Sequence, residues 1–127
     1  MADALQVELV AADRTVWSGE ATMVIARTVE GDVGVLRGHA PLLSLLADAV
    51  VEIDTAGDET VIAAVDGGFL SVAHDRVSIL SEHAVLAGDI DLAAERLELE
   101  AAQADEGDEA QARVRRAEAR IKAAERG

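Results

Sequence analysis

The 127-residue chain is long enough for one ordinary domain or one domain with a small appendage, and half of its residues are apolar. Its formal net charge of −14 repels phosphate backbones and anionic lipids, which argues against nucleic acids and membrane surfaces as direct partners. The absence of cysteine excludes disulfides and thiolate metal sites, and no apolar run is long enough to span a membrane, so we expect a soluble, intracellular protein.

The first two thirds of the chain carry the short apolar runs of a β structure. Leu5, Val7 and Leu9 alternate with polar neighbours, which is the period-2 pattern of a half-buried strand. Later β-branched runs lie at 49–54, 60–65, 69–73 and 76–80. Turn residues separate these runs, among them the DGG of residues 66–68. The spacing predicts an antiparallel β-sandwich or barrel over residues 1–87.

The stretch EGDVGVLRGHAPLL (30–43) contains three of the ten glycines and the only proline. It does not match a phosphate-binding loop, because no Lys-Ser or Lys-Thr pair follows a glycine and the glycines interrupt apparent strands. Gly38 permits an unusual backbone angle before His39, and Pro41 holds the residue before it extended. We therefore predict a bend that presents Leu42 and Leu43, which either enter the core or form an apolar protein interface.

After Gly88 the pattern becomes helical, which predicts a second region over residues 88–127. Asp89 or Asp91 is expected to cap a first helix. The apolar stripe predicted for that helix is Ile90, Ala93, Ala94, Leu97, Ala101 and Ala104. The stripe predicted for a second helix is Ala110, Val114, Ala117, Ile121 and Ala124. An antiparallel helical hairpin follows, and its alanine-rich contacts suit either a weakly docked, mobile element or a fixed part of the fold.

Basic residues concentrate near the end of the chain. The basic cluster consists of Arg113, Arg115, Arg116, Arg120, Lys122 and Arg126. One interpretation is a solvated helix face balanced by Glu118 and Glu125. The sharper interpretation is a surface for an acidic partner, since such a helix is unusual on a strongly acidic protein.

No pattern in the sequence indicates catalysis, a metal or a cofactor. His74 and His83 lie nine residues apart without a matching carboxylate pattern, so we do not expect a metal site. The sequence also lacks the G-x-S-x-G motif that places a nucleophilic serine. We therefore expect a non-catalytic protein.

Four motifs resemble one known family. VWSGEA (16–21), EGDVGVLRGHAPLL (30–43), DGGFLSV (66–72) and VSILSEHA (77–84), in this order and spacing, resemble the epsilon subunit of bacterial F-type ATP synthase. The likeness includes the change to a helical hairpin after Gly88. It implies a mainly β fold with α, in which an N-terminal antiparallel β-sandwich precedes a C-terminal two-helix hairpin.

The resemblance also implies a function. Epsilon subunits of this family belong to the central stalk of the rotor, couple proton-driven rotation to ATP synthesis, and restrain ATP hydrolysis by extending their C-terminal helices toward the catalytic head. The implied location is the cytoplasmic face of the bacterial cell membrane, reached only through the complex.

The resemblance assigns three groups of contact residues. Carried across by position, the gamma-subunit contact is His39, Ala40, Pro41 and Leu42, and the contact with the polar loops of the c-ring is Glu30, Gly31 and Asp32. The basic cluster would meet an acidic segment of the beta subunit in the head of alpha and beta subunits.

Two departures from the family pattern qualify this assignment. Arg37 stands where relatives usually have proline. Ile90 and Asp91 match an I-D-x-x-R-A motif through which some relatives bind ATP, but Ala94 and Glu95 replace its arginine and alanine, so we expect severely weakened ATP binding and no cofactor. Two other classes stay open: a free-standing β-sandwich adaptor and a small ligand-binding or enzymatic domain with a deep polar pocket.

Overall fold

The computed structural model describes residues 4–127, so the first three residues of the predicted domain 1–87 lie outside the described part. The strands are β1 (Leu5–Val10), β2 (Thr15–Thr28), β3 (Gly31–Leu36), β4 (Leu42–Leu45), β5 (Ala49–Thr55), β6 (Thr60–Val65), β7 (Phe69–Ala73), β8 (Arg76–Leu80) and β9 (Ala84–Leu86). A 3-10 turn at Ala87–Asp89 then leads to α1 (Leu92–Ala104) and α2 (Asp108–Arg126). The predicted order, a β part followed by two helices, is confirmed.

The strands form one continuous sheet in the order β4-β7-β8-β1-β2-β5-β6-β9, with β3 paired to β2. The pairs are antiparallel except β1 with β8, which is parallel. The long strand β2 pairs first with β1 and then with β3 and β5, and the β2–β5 register shifts between Ala21 and Met23. Because such irregularities bend a strand, β2 can carry the sheet from one layer to the other.

The core between the layers is aliphatic. Leu5, Val7 and Leu9 are buried, as the alternation of β1 predicts. The largest fully buried side chains of the other strands include Val24, Ile53, Leu70, Val77 and Ile79. Gly68 has a φ of 108°, and a Cβ there would overlap the carbonyl oxygen of Leu80, so only glycine fits this close approach of β7 to the end of β8.

The hairpin rests on the sandwich through its second helix. α2 packs against β5 and β6, and α1 packs against α2. Ala123 of α2 is fully buried against Ile62 and Ala64 of β6, with Val50 and Ile90 at the edge of this cluster. The hairpin is thus docked in this structure, while the division into domains 1–87 and 88–127 stays a prediction.

The predicted apolar stripe of α1 is wrong. Leu97 is 67% exposed, and the alanines predicted to share its stripe are exposed as well. The face that α1 turns to α2 instead carries Glu95, Glu98 and the buried Ala102. Both glutamates pair with arginines of α2, and Leu92 and Leu99 are half-buried on the same face, so this face of α1 combines apolar contacts with ion pairs.

The predicted stripe of α2 is correct but incomplete. Ala110 and Ala117 are buried, and the other members of the stripe are half-buried. A second buried row, which the sequence analysis did not single out, consists of Ala112, Ala119 and Ala123. A helix packed on two sides needs two apolar rows, and α2 lies between the sheet and α1.

The side chain of Asp91 caps α1 by accepting a hydrogen bond from the Ala94 N–H at 3.1 Å. Of the two residues predicted as caps, Asp91 is therefore the one that caps the helix.

Candidate functional site

The loop of residues 37–41 connects β3 to β4 and has a defined conformation. Gly38 has a φ of 83°, a left-handed angle that favours glycine, and its N–H donates to the Asp75 carboxylate at 2.7 Å. The His39 N–H donates to the Leu36 carbonyl at 3.1 Å, and the His39 ring nitrogen Nδ1 donates to the Ala40 carbonyl at 2.6 Å. The bend predicted at Gly38 is therefore present and is held by hydrogen bonds.

The two leucines after this loop separate. Leu42 is half-buried against the core, whereas Leu43 is 72% exposed. Of the two predicted alternatives, contact with the core applies to Leu42, and exposure for a protein interface applies to Leu43.

Leu43 belongs to a larger exposed surface. The register pairs Leu45 of β4 with Phe69 of β7, and Phe69 with Leu80 of β8, so these side chains form a row across three strands on one face of the sheet. All three are exposed, and Leu43 lies two residues from Leu45 on the same face. We call Leu43, Leu45, Phe69 and Leu80 the apolar face. Sequence reasoning missed its last three members, because only the strand register brings them together.

The turn between β2 and β3 holds the second predicted group. Glu30, Gly31 and Asp32 are exposed, and the Thr28 hydroxyl fixes the turn by donating to the Gly31 carbonyl and accepting from the Glu30 N–H. The Arg27 Nε donates to Asp32 Oδ1 at 2.8 Å, and this hydrogen bond with the adjacent charge lowers the pKa of the Asp32 carboxyl. The turn and the 37–41 loop lie at opposite ends of β3, so the structure does not join these two groups into one surface.

Among residues 4–127, two members of the basic cluster pair only within the hairpin. Arg113 binds Glu98 of α1 at 2.5 Å and Asp105 of the connecting loop at 2.9 Å. Arg116 lies 3.6 Å from Glu109 of its own helix. These contacts tie α2 to α1 and to its own first turn.

Three other cations of the cluster pair with the sandwich. Arg115 lies 3.5 Å from Asp48, Arg120 binds Asp66 at 2.5 Å, and Arg126 pairs with Glu52. The three carboxylates beneath α2 are called the acidic strip: Asp48, Glu52 and Asp66, whose side chains are 16%, 19% and 8% exposed. Burial raises the pKa of the Asp66 carboxyl, although the charge of Arg120 partly opposes this shift. The basic cluster is therefore not an unpaired surface in this state.

Lys122 lines a cavity of about 420 Å³ between α2 and the sandwich, together with Arg27 and Asp32. Cations and carboxylates both line this cavity. Within residues 4–127, no group of three or more histidines and carboxylates is arranged to hold a metal ion. Neither helix in this part of the chain is long and apolar enough to cross a membrane.

Comparison with known proteins identifies related chains. Residues 4–87 match the family model of the ATP synthase delta/epsilon chain, beta-sandwich domain. The ATP synthase epsilon chain of Streptomyces griseus subsp. griseus is 54% identical over 123 residues, and the match covers 97% of each chain.

Solved structures agree with this match. A chain of the Euglena gracilis mitochondrial ATP synthase, solved as OSCP/F1/c-ring, superposes with a TM-score of 0.75 at 26% identity, over 98% of this chain and 79% of that chain. A chain of the Tetrahymena thermophila mitochondrial ATP synthase central stalk/c-ring superposes with a TM-score of 0.64 over 95% of this chain and 96% of that chain. At 14% identity, the second likeness shows the fold alone.

Proposed function

The chain belongs to the ATP synthase epsilon chain family, and we propose on that premise that it is a non-catalytic subunit of the rotor's central stalk. In this role it couples proton-driven rotation to ATP synthesis and restrains ATP hydrolysis by the same complex. Its place is the cytoplasmic face of the bacterial membrane, which it reaches through its partner subunits.

The apolar face carries the proposed contact with the gamma subunit. Exposed leucines scattered singly are ordinary, but a row that continues across three strands marks a surface that a partner covers. Aromatic residues such as Phe69 are enriched at the centre of protein interfaces. The 37–41 loop adjoins this surface and supplies exposed backbone groups and His39 for a polar rim. The gamma contact thus combines His39, Ala40, Pro41 and Leu42 with the apolar face.

The turn of Glu30, Gly31 and Asp32 is proposed to touch the polar loops of the c-ring. It lies at the far end of β3 from the 37–41 loop, so one molecule can contact gamma and the ring at the same time. Because Arg27 pairs with Asp32, the turn offers Glu30 as its unpaired charge among these residues. A ring contact through this turn therefore depends mainly on shape and on Glu30.

Restraint of hydrolysis is proposed to depend on the helical hairpin. In an extended position the basic cluster would contact acidic groups of the catalytic head, in particular on the beta subunit. The docked position seen here buries mostly alanines against the sheet, and each contributes little apolar area compared with leucine or phenylalanine. A hairpin held in this way can leave the sandwich without disturbing the aliphatic core.

Binding to purified gamma subunit tests the proposal. The double variant Leu45→Thr, Phe69→Thr keeps residues suited to strands but removes two large apolar side chains from the apolar face. We expect gamma binding to weaken by about 30- to 700-fold, since each of the two lost interface side chains costs on the order of 1–2 kcal/mol. The matched control is Leu97→Gln, which removes a more exposed leucine from α1 and should leave binding unchanged.

Wild-type chain that folds but shows no affinity for gamma would overturn the proposed rotor role. The same apolar face would then serve a free-standing adaptor with a different protein partner. Unchanged binding of the Leu45→Thr, Phe69→Thr variant would instead place the gamma contact outside the apolar face.

A further inference from the structure

The docked hairpin is held by ion pairs as well as by apolar contacts. The apolar contact of α2 with the sheet centres on Ala123, which packs against Ile62 and Ala64, and the side chains of the acidic strip are at most 19% exposed. Carboxylates covered in this way lose water, so they require cationic partners wherever the helix lies over them. The guanidinium groups of α2 provide those partners.

The pairs match in spacing as well as in charge. Asp48 and Glu52 lie four positions apart on an extended chain, which separates them by about 13 Å. Their partners Arg115 and Arg126 lie eleven positions apart on a helix, which separates them by about 16 Å. α2 therefore runs in the same direction as β5, and long arginine side chains close the remaining difference. Arg120, between these two, reaches Asp66 just beyond β6. Three pairs thus hold the helix from its middle, at Arg115, to its last residue, Arg126.

On the basis of the proposed function, we propose that the acidic strip is an internal competitor for Arg115, Arg120 and Arg126, the same cations that would bind the catalytic head. A guanidinium that pairs with the sandwich cannot pair at the same time with a distant acidic surface. The strip therefore sets how much of the protein keeps its hairpin docked and how much is free to restrain hydrolysis.

Under this competition, substituting the arginine of a pair and substituting its carboxylate have different expected effects on ATP hydrolysis. Removing an arginine weakens the docked and the extended contacts together, so its net effect on hydrolysis is small or of either sign. Neutralising the strip weakens only the docked contact and leaves every cation of the basic cluster in place. Variants of the strip are therefore the informative ones.

Amide hydrogen exchange of the isolated full-length chain tests the internal pairing. In the double variant Asp48→Asn, Glu52→Gln, we expect the amides of α2 to exchange about tenfold faster than in wild type, because two pairs of up to about fivefold each are lost. The matched control Asp58→Asn, Glu59→Gln neutralises two exposed carboxylates of the β5–β6 turn that make no ion pair with the hairpin. Its α2 amides should exchange at the wild-type rate.

Swapping the two charges of the Glu52–Arg126 pair makes this test specific to that pair. Glu52→Arg alone and Arg126→Glu alone should each accelerate exchange of α2, and the two changes together should restore slow exchange. Amides of β1 and β2 report in the same experiment that the sandwich stays folded. Unchanged α2 exchange in the strip variant, with a folded sandwich, would overturn the proposal.

ATP hydrolysis by the assembled synthase tests the competition itself. We expect the strip variant Asp48→Asn, Glu52→Gln to lower hydrolysis about two- to fivefold by freeing the hairpin. The variant Lys122→Ala removes a cation for which the described residues show no ion pair with the strip, so it should raise hydrolysis if the head contact exists. A rise in this second variant without a fall in the first overturns the competition alone. No change in either overturns the restraint of hydrolysis on which it rests.

Discussion

The carboxylate of Asp75 accepts a hydrogen bond from the N–H of Gly38 at 2.7 Å, which joins the β7–β8 turn to the 37–41 loop over 37 positions of sequence. Asp75 has a left-handed φ of 59°, and its own carbonyl accepts from the Gln6 N–H at 2.8 Å. The turn is thus anchored to β1, and through Asp75 it anchors the loop proposed to meet gamma.

Loss of the Asp75 carboxylate should weaken gamma binding without unfolding the chain. We expect Asp75→Ala to reduce affinity about three- to tenfold, because an unanchored loop must be ordered on binding and one hydrogen bond contributes about 1 kcal/mol. Titration with purified gamma subunit gives the affinity. The matched control is Asp58→Ala, which removes a carboxylate from another left-handed turn residue, φ 65°, that is remote from the loop. Equal affinities of both variants would show that the loop needs no anchor.

Lowering the pH should stabilise the folded chain through the Asp66 carboxyl. Burial raises its pKa, the charges of Arg120, Arg116 and His83 oppose this shift, and Asp48 adds to it. Because the folded chain holds this proton more tightly than the unfolded chain, Asp66 contributes increasing stability as the pH falls from its raised pKa toward the ordinary value of 3.8. The unfolding free energy of wild type relative to Asp66→Asn should therefore rise as the pH falls toward 3.8 in urea titrations.

Asp32 should give the opposite pH dependence of the unfolding free energy in the same urea titrations. Its hydrogen bond with Arg27 lowers its pKa, so its contribution to stability is present above 3.8 and is lost as the pH falls through the lowered value. Relative to Asp32→Asn, wild type should lose stability below about pH 4. The same sign of change for both carboxyls would contradict the burial argument for Asp66.

Gly68→Ala should be strongly destabilising. The new methyl group would overlap the Leu80 carbonyl oxygen at a φ of 108°, which side chains rarely adopt, so we expect a loss of about 2–4 kcal/mol of unfolding free energy. Gly34→Ala is the control, because a Cβ at that strand position meets no atom within 4 Å. Urea unfolding should place this control within about 0.5 kcal/mol of wild type. A mild effect of Gly68→Ala would mean that β7 can move away from Leu80.

ATP should bind the isolated chain no better than about millimolar. Ala94 stands at the arginine position of the relatives' motif, and Glu95 points to α2, 3.6 Å from Arg120, where it adds a negative charge. Calorimetry on the variant Ala94→Arg, Glu95→Ala should show tighter binding than wild type, since it supplies a cation and removes a carboxylate. Micromolar affinity of the wild type would contradict this prediction.

Local patterns in the sequence were sufficient for most of the fold. The alternation in β1 depends only on neighbouring residues, and so does the bend at Gly38, because glycine and proline restrict the backbone locally. The parallel pairing of β1 with β8 did not follow from local patterns, since it joins segments 70 positions apart.

The candidate site depended more on distant contacts. Phe69 and Leu80 join the apolar face only through strand register, and no spacing along the chain reveals it. The predicted stripe of α1 is wrong because the inward face carries Leu92, Leu99 and Ala102 instead of the predicted apolar residues, and glutamates on that face pair with arginines of α2. The partners of the basic cluster likewise required the tertiary structure.

Strand β3 gives the proposed contacts a mechanical link. Its first residue, Gly31, belongs to the turn assigned to the c-ring, and Leu36 at its other end leads into the loop assigned to gamma, about 20 Å away. The ladder from Thr28 with Gly31 to Met23 with Leu36 holds β3 along its whole length. A tangential force from the ring would load these hydrogen bonds in shear, all at once, rather than open them one by one. Torque could then pass through the stiff, short strand β3 from the c-ring contact to the gamma contact without movement of the helices.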